Sequence, residues 1–240
     1  MKSKTIALLT LLALFSAPLA LSQTADEILK QHFEVIGQDQ VAKMKSATMT
    51  GKILQGGQEF SFTMYQQRPM NFRMDITVQG QKITQAFDGE NGWMVNPMMG
   101  TTDPQDMTPD MIKEMKKQAD MDGQLWNYQS KGSTLEYLGQ EEMEGSSVHK
   151  LKLTDKDGDI TNFFLDAETF ILLKTTSVNT VQGVEVESEQ SYGNYQLIDG
   201  MAIPFSISTG SNGQVMGEIA IDEVKFNTEF EKDFFSKPAK

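Results

Sequence analysis

Alternation of apolar and polar side chains, from residue 48 almost to the C-terminus, most constrains how this chain can fold. A period of two places successive side chains on opposite faces, as half-buried strands require. The first such runs are MTGKI, FSFTMY, FRMDITV and KITQAF, joined by turns at Gly56-Gly57 and Gln79-Gly80. Later runs are LEYLG, VHKLKL, ITNFFLD, FILLKTTSV, VEVESEQSYGNYQL, IPFSIST and QVMGEIAIDEVKF. Such runs with short turns predict an antiparallel meander of about ten strands.

Two segments have helical periodicity instead. Residues 26–44 follow Thr24 with acidic side chains and carry apolar residues at helical spacing, with a break expected near Gly37. Residues 103–121 form the second segment, and Gly123 is expected to stop it. One face of this second helix is apolar and lies opposite several lysines; its residues are Met107, Met111, Ile112 and Met115. The helices should cover a single curved antiparallel sheet or open barrel, which can enclose a lipid-sized cavity.

The N-terminus has the features of a secretory signal peptide. Lys2 and Lys4 precede a short apolar run, and Ala20-Leu21-Ser22 provides a small-residue cleavage site. We therefore expect residues 1–22 to be removed and residues 23–240 to form one exported domain. Because the chain contains no cysteine, neither a lipid anchor on the protein nor a disulfide is expected.

The negative net charge of the chain limits the classes of molecule that it is expected to bind. The formal net charge is −12 at pH 7, and removal of Lys2 and Lys4 with the signal peptide takes it to −14. Nucleic acids and anionic membrane surfaces bind basic patches, so this balance disfavours both. Acidity alone does not indicate any particular function.

The sequence gives little support for catalysis or metal binding. It lacks GxSxG, P-loop and HExxH motifs, and its only histidines, His32 and His149, are expected to be surface or pairing residues. A calcium loop starting at Asp155 would need glycine where Ile160 stands and glutamate where Asp166 stands, so a hairpin turn is favoured. The alternating Glu185, Glu187 and Glu189 resemble a solvated edge strand. A secreted hydrolase using unrecognised carboxylates stays as a distant alternative, and no cofactor is expected.

Methionines are concentrated between the first strands and the second helix. This group comprises Met94, Met98, Met99, Met107, Met111, Met115 and Met121. Methionine side chains are flexible and polarizable, so they suit surfaces that accommodate varied apolar shapes. They could also simply attach the helix to the sheet, and both interpretations remain open.

The stretch QQRPMNFRMDITVQGQKITQAFDGENGWMVNPMMG carries RP, FR, DG, W and NP in the order that marks LolA-like lipoprotein carriers. The segments ADEILKQHFEVIG, VHKLKLTDKDG, FFLDAETFILLK and IDGMAIPFSI also resemble outer-membrane lipoprotein-sorting proteins, so the resemblance covers residues 25–230. It implies a mainly β fold with α, an unclosed, strongly curved half-barrel covered by an N-terminal helix and a lid helix. It also implies a periplasmic, monomeric carrier of acylated lipoproteins or lipids, with an inner-membrane donor complex and an outer-membrane acceptor.

The resemblance also suggests particular site residues. The arginine of the RP pair, here Arg68, would close the lid by hydrogen bonding, although it could instead end a strand and point into solvent. The residues expected to line the acyl cavity are Phe60, Phe62, Met64, Phe72, Met74, Ile76, Trp93, Met94, Met107, Met111 and Met115. Trp93 could equally be a core residue, and alternation cannot say which sheet face points inward. A periplasmic sensor of lipids or proteins on the same fold is the main alternative to a carrier.

Overall fold

The computed structural model describes residues 24–100, 102–181, 184–211 and 213–238. The expected signal peptide, residues 1–22, lies outside these ranges. The helices are α1 (Ala25–Ile36), α2 (Gln38–Val41) and α3 (Pro109–Ala119). The strands are β1 (Ser46–Gln55), β2 (Gln58–Gln67), β3 (Asn71–Val78), β4 (Gln81–Asp88), β5 (Gly92–Val95), β6 (Gln105–Asp106), β7 (Thr134–Met143), β8 (Ser146–Thr154), β9 (Ile160–Asp166), β10 (Leu172–Val181), β11 (Val184–Ile198), β12 (Met201–Ser211) and β13 (Gln214–Phe226).

All thirteen strands belong to one antiparallel sheet, in the order β6-β5-β4-β3-β2-β1-β13-β12-β11-β10-β9-β8-β7. Strands that follow one another in sequence therefore pair, except for β6 and β7, which form the two edges of the sheet. The β1 strand also pairs with β13, and this pairing joins the two halves. The sheet is strongly curved and does not close. The predicted fold class is confirmed, but the count of about ten strands was low because β5 and β6 are too short to show alternation.

Two apolar cores attach helices to the concave side of this sheet. Ile28 and Leu29 of α1 pack against Leu151, Phe163 and other residues of β8 and β9. The α3 helix packs against β3, β4 and β5 in the other half. The structure therefore has one helix over each half of the sheet, with a gap between them.

The first helix is fixed at both ends by local interactions. Thr24 caps it in a capping box, since its hydroxyl accepts the Glu27 N–H while the Glu27 carboxylate accepts the Thr24 N–H. Gly37 ends it with φ 70°, which confirms the predicted break. A Cβ on Gly37 would lie 2.1 Å from the Gly200 carbonyl oxygen, so only glycine lets α1 approach the β11–β12 turn this closely.

The lid helix is shorter than the predicted segment of residues 103–121. Thr108 caps α3 and Pro109 begins it, so the preceding residues are free to form β6 against β5. The helix ends at Ala119, before Gly123. Gly123 lies instead in a turn, where its backbone N–H donates to the Asp120 carbonyl. Among the described residues, no helix is long and apolar enough to span a membrane.

The glutamates of β11 are not on an edge strand, because β11 lies between β10 and β12. That interpretation was wrong. Glu189 forms an ion pair with Lys174 of β10 rather than facing bulk solvent alone. Glu189 thus pairs with an oppositely charged residue on the neighbouring strand.

Candidate functional site

A continuous apolar strip crosses the concave face of the sheet beside α3. Antiparallel pairing places directly opposed side chains on the same face. The register joins Ile207 to Ile219, Ile219 to Ile53, and Ile53 to Phe60 on β2. Two residues further along β2, Phe62 pairs with Ile76, and Ile76 pairs with Ile83. We refer to these residues as the apolar strip: Ile53, Phe60, Phe62, Ile76, Ile83, Ile207 and Ile219.

Most of this strip is only half-buried. Phe62 is buried, with 5% of its surface exposed, because its ring packs over Gly51 of β1. The other six members are of intermediate exposure. Exposed leucines or isoleucines scattered singly need no explanation, but a contiguous apolar surface marks a binding site or groove.

The strip continues directly into an apolar cluster beneath α3, which we refer to as the methionine cluster. Met64 lies two residues after Phe62 on β2, and Phe72 lies four residues before Ile76 on β3. An even spacing keeps side chains on one face of a strand, so all four share the same face. The other expected lining residues that gather here are Met74, Met94, Met107, Met111 and Met115. Gly92 permits the close approach, because a Cβ there would lie 2.7 Å from the Met107 sulfur.

Ten of the eleven expected lining residues thus lie along one surface: Phe60, Phe62 and Ile76 in the strip, and seven in the methionine cluster. Trp93 is the exception. It pairs with Ala86, one residue out of phase with Met94, so its side chain projects from the opposite face. There its indole N–H donates to the Phe235 carbonyl at 2.9 Å, and its exposure is 3%. Trp93 is therefore a core residue and does not belong to the concave lining.

The opposite face of β2–β5 is covered by the C-terminal segment, residues 228–238. The rings of Phe230 and Phe234 are stacked, and the ring of Phe235 packs edge-on against both. Arg73 lies beneath them and donates to the Phe234 carbonyl at 2.9 Å. The sequence analysis did not foresee this packing, although the FEKDFF run was a visible aromatic signal.

Arg68, in the β2–β3 turn, joins three elements. Its guanidinium donates to both carboxylate oxygens of Asp122 at 2.6 and 2.7 Å. It also donates to the Val41 carbonyl at 2.9 Å and to the Met44 carbonyl at 2.7 Å. Asp122 follows α3, while Val41 and Met44 follow α1, so one side chain holds both helical segments to the sheet.

The fork geometry of arginine suits this bidentate contact, and the hydrogen bond with Asp122 raises the pKa of Arg68. The alternative that Arg68 points into solvent is wrong for this structure, since its side chain is only 27% exposed. Asp122 was not predicted as its partner. A second hydrogen bond joins the sheet to α3, because the side-chain amide of Gln66 on β2 donates to the Gln118 backbone carbonyl at 2.7 Å.

The two histidines, expected to be surface or pairing residues, are buried and hydrogen-bonded, so they are pairing residues. His32 Nδ1 donates to the Phe170 carbonyl at 2.8 Å. His149 Nδ1 is hydrogen-bonded to the Tyr137 hydroxyl at 2.9 Å, and its ring stacks on Phe170. Burial lowers the pKa of both imidazoles. The His149 Nε2 atom is buried without a hydrogen-bond partner in the described structure.

The Asp155–Asp159 stretch is a hairpin turn, as predicted. One Asp155 carboxylate oxygen accepts the backbone N–H groups of Asp157 and Asp159, each at 2.9 Å. The Asp159 carboxylate also forms ion pairs with two lysines of α3, Lys113 and Lys117. Within the described ranges, no group of three or more histidine, aspartate or glutamate side chains is arranged to hold a metal ion.

The fold resembles that of several solved proteins. No family model and no curated protein matches the sequence. A LolA superfamily protein from Nitrosomonas europaea superposes with a TM-score of 0.61 and 14% identity, over 89% of this chain and 98% of that one. A DUF1329 family protein from Desulfovibrio piger gives 0.60 and 13% identity, over 87% and 97%. An outer membrane lipoprotein-sorting protein domain from Vibrio parahaemolyticus gives 0.54 and 14%, over 86% and 97%. At such identities the likeness shows a LolA-like fold.

Proposed function

We propose that this chain, whose fold is LolA-like, is a periplasmic carrier that binds acyl chains of lipoproteins on the concave face of its sheet and transfers them towards the outer membrane. The half-buried apolar strip beside the methionine cluster carries this proposal. The proposal requires an inner-membrane donor complex and an outer-membrane acceptor, and it needs only one copy of the chain.

Apolar burial supplies the affinity for such a cargo. Moving an acyl chain from water to an apolar surface stabilises it by about 0.8 kcal/mol per methylene. The strip offers branched and aromatic side chains along its length, and the methionine side chains beside it can adapt to different chain positions. The lid segment, residues 107–127, comprises α3 and the loop that follows it, and it would move outward to admit the chain.

Release requires the empty, closed state to compete with the loaded one. The Arg68 contacts with Asp122, Val41 and Met44 suit that role because they hold the lid segment against the rest of the molecule. A cargo that pushes α3 outward would break these polar contacts. Their recovery on emptying would then help expel the cargo to an acceptor.

The chain from residue 23 onward is expected to bind a fluorescent triacylated lipopeptide saturably. A diacyl phospholipid should compete for binding, whereas the unacylated peptide should not. A double Phe60→Ala, Ile76→Ala variant should bind about tenfold more weakly, because it removes apolar contact area from the strip. Leu197→Ala serves as the control, since Leu197 is 75% exposed. Absence of saturable binding by folded, delipidated protein would favour the sensor alternative.

Replacement of Arg68 by leucine is expected to leave lipopeptide loading intact but to slow transfer to an acceptor by about tenfold or more, since a buried polar network is lost. Transfer from loaded protein to acceptor vesicles or to a purified acceptor measures this. Asp122→Asn should show the same direction, and Arg68→Lys an intermediate rate, because lysine cannot form the bidentate contact. Equal transfer by the parent and the Arg68→Leu variant would exclude the proposed closing role.

A further inference from the structure

A cavity of about 650 Å³ lies between α3 and the β8–β9 turn. Met70, Pro109, Ile112 and Leu153 give it an apolar floor. Leu153 also belongs to the core beneath α1, so the cavity occupies the gap between the two helix-covered halves of the sheet. Its volume is in the range of pockets that hold small organic ligands, about 300–1,000 Å³.

The rim of this cavity is rich in ammonium groups, in spite of the acidity of the whole chain. The lysines that line it are Lys113, Lys116, Lys117, Lys131 and Lys156, and they outnumber the carboxylates of the same lining, which are Asp120, Asp155 and Asp157. Three of them stand at i, i+3 and i+4 on α3, and that spacing places them on one helix face. The apolar residues of α3 contact β3–β5, so its lysine face is turned to the opposite half of the sheet.

A carboxylate of the protein, Asp159, lies beside this rim and pairs with two of its lysines. One oxygen of Asp159 lies 2.9 Å from Lys113 Nζ and 3.1 Å from Lys117 Nζ. The hydrogen bond from Lys113 lowers the pKa of Asp159. Asp157 lies beside it, 2.9 Å from Lys156 and 3.7 Å from Lys113. In the part of the chain that the structure describes, no ion pair involves Lys116.

We propose that this lysine rim binds the anionic headgroup of an acyl-chain ligand whose chain enters the apolar cavity, with the headgroup taking the place of Asp159 between Lys113 and Lys117. The inference rests on the proposed lipid-binding function and adds a charge preference to it. An apolar floor below converging ammonium groups complements a molecule with one apolar chain and one negative end.

The lysines around the cavity are positively charged, whereas the chain as a whole has a negative net charge. The net charge of the chain predicts poor affinity for anionic surfaces, but a headgroup inside the rim is closer to these lysines than to the carboxylates distributed over the rest of the molecule. The carboxylates of the lining and Asp159 compete with the ligand for the lysines, since Asp120 pairs with Lys131, Asp157 with Lys156, and Asp159 with Lys113 and Lys117. The exchange is therefore of one anion for another, and removal of the internal carboxylate should strengthen ligand binding.

The test compares two lysolipids with the same palmitoyl chain, lysophosphatidylglycerol and lysophosphatidylcholine, below their critical micelle concentrations. Calorimetric titration should show tighter binding of the anionic lipid in low salt, with the preference shrinking as salt rises. A Lys113→Gln, Lys117→Gln variant should lose about three- to tenfold in affinity for the anionic lipid alone, since two charge-assisted contacts are removed. Asp159→Asn should change the affinity in the opposite direction.

Lys225→Gln is the matched control, because Lys225 is an exposed lysine of β13 that pairs with Glu223 far from the cavity rim. Circular dichroism and thermal unfolding establish that each variant is folded. If both lysolipids bind equally, or if the rim and control variants behave alike, the headgroup inference fails while the lipid-binding proposal stands. If neither lysolipid binds to the parent protein, the proposed function fails as well.

Discussion

Lowering the pH from 6.5 to 5.5 is expected to reduce the free energy of unfolding by up to ~2 kcal/mol, about half of it from each of two buried histidines that must stay neutral in the folded protein. His32 is 5% exposed and His149 is 1% exposed. Both contact Phe170, one through its carbonyl oxygen and the other through its ring. Protonation of either imidazole therefore acts at the place where α1 meets β8 and the β9–β10 turn.

Burial of the two imidazoles determines the direction in which stability changes with pH. The pKa of each histidine is lower in the folded protein than its ordinary value of 6.5, so the unfolded chain binds more protons below that pH. Stability is therefore complete above pH 6.5 and declines as the pH falls towards the folded-state pKa, by up to ~1.4 kcal/mol per pH unit for each group. Asp166, whose charge favours protonated His149, reduces the effect for that residue without reversing it.

Urea unfolding at a series of pH values measures the effect. The carboxylates of Asp159 and Asp166 have lowered pKa values, so these two groups remain ionised in this pH range and do not contribute to the change. His32→Gln and His149→Gln should each flatten the pH dependence between 6.5 and 5.5. A parent protein with constant stability across that interval would contradict the assignment.

The strand alternation was sufficient to predict a curved antiparallel sheet or open barrel, because alternation depends on local side-chain pattern. The unclosed half-barrel followed from the family resemblance. The register then determined which predictions about individual residues held. Phe62, Phe72 and Met74 alternate in phase across β2 and β3, so they share one face. Trp93 is one residue out of phase with Met94, and no composition argument could place it beneath a segment more than a hundred residues later in the sequence.

Contacts between distant segments account for the other differences. Arg68 was singled out from its RP motif, but its partner Asp122 lies in a loop whose position depends on how α3 packs. His32 and His149 are far apart in sequence and meet at Phe170 only in the folded chain. The lysine rim was similarly hidden, because Lys113 and Lys117 on α3 and Lys156 in the β8–β9 turn come together only in the folded chain. The net charge of the whole chain does not reveal such a local group of lysines.

Replacement of Phe235 by alanine is expected to reduce the free energy of unfolding by about 3–5 kcal/mol, the usual cost of deleting a buried phenylalanine ring. Phe235 is 3% exposed and packs edge-on against Phe230 and Phe234. Its backbone carbonyl, which accepts the Trp93 indole N–H, is retained in the variant. The loss therefore reports on ring packing rather than on that hydrogen bond.

Denaturant unfolding of the parent, Phe235→Ala and Lys237→Ala proteins tests this. Lys237 lies two residues away and forms an exposed pair with Asp106, so its replacement should change stability by less than ~0.5 kcal/mol. Because the C-terminal segment covers the face opposite the apolar strip, a Phe235→Ala protein that stays folded should still bind the lipopeptide. A change of under ~1 kcal/mol for Phe235→Ala would mean that the C-terminal segment contributes little to the core. Loss of binding by the folded variant would mean that the two faces of the sheet are coupled, and that the concave site depends on the packing behind it.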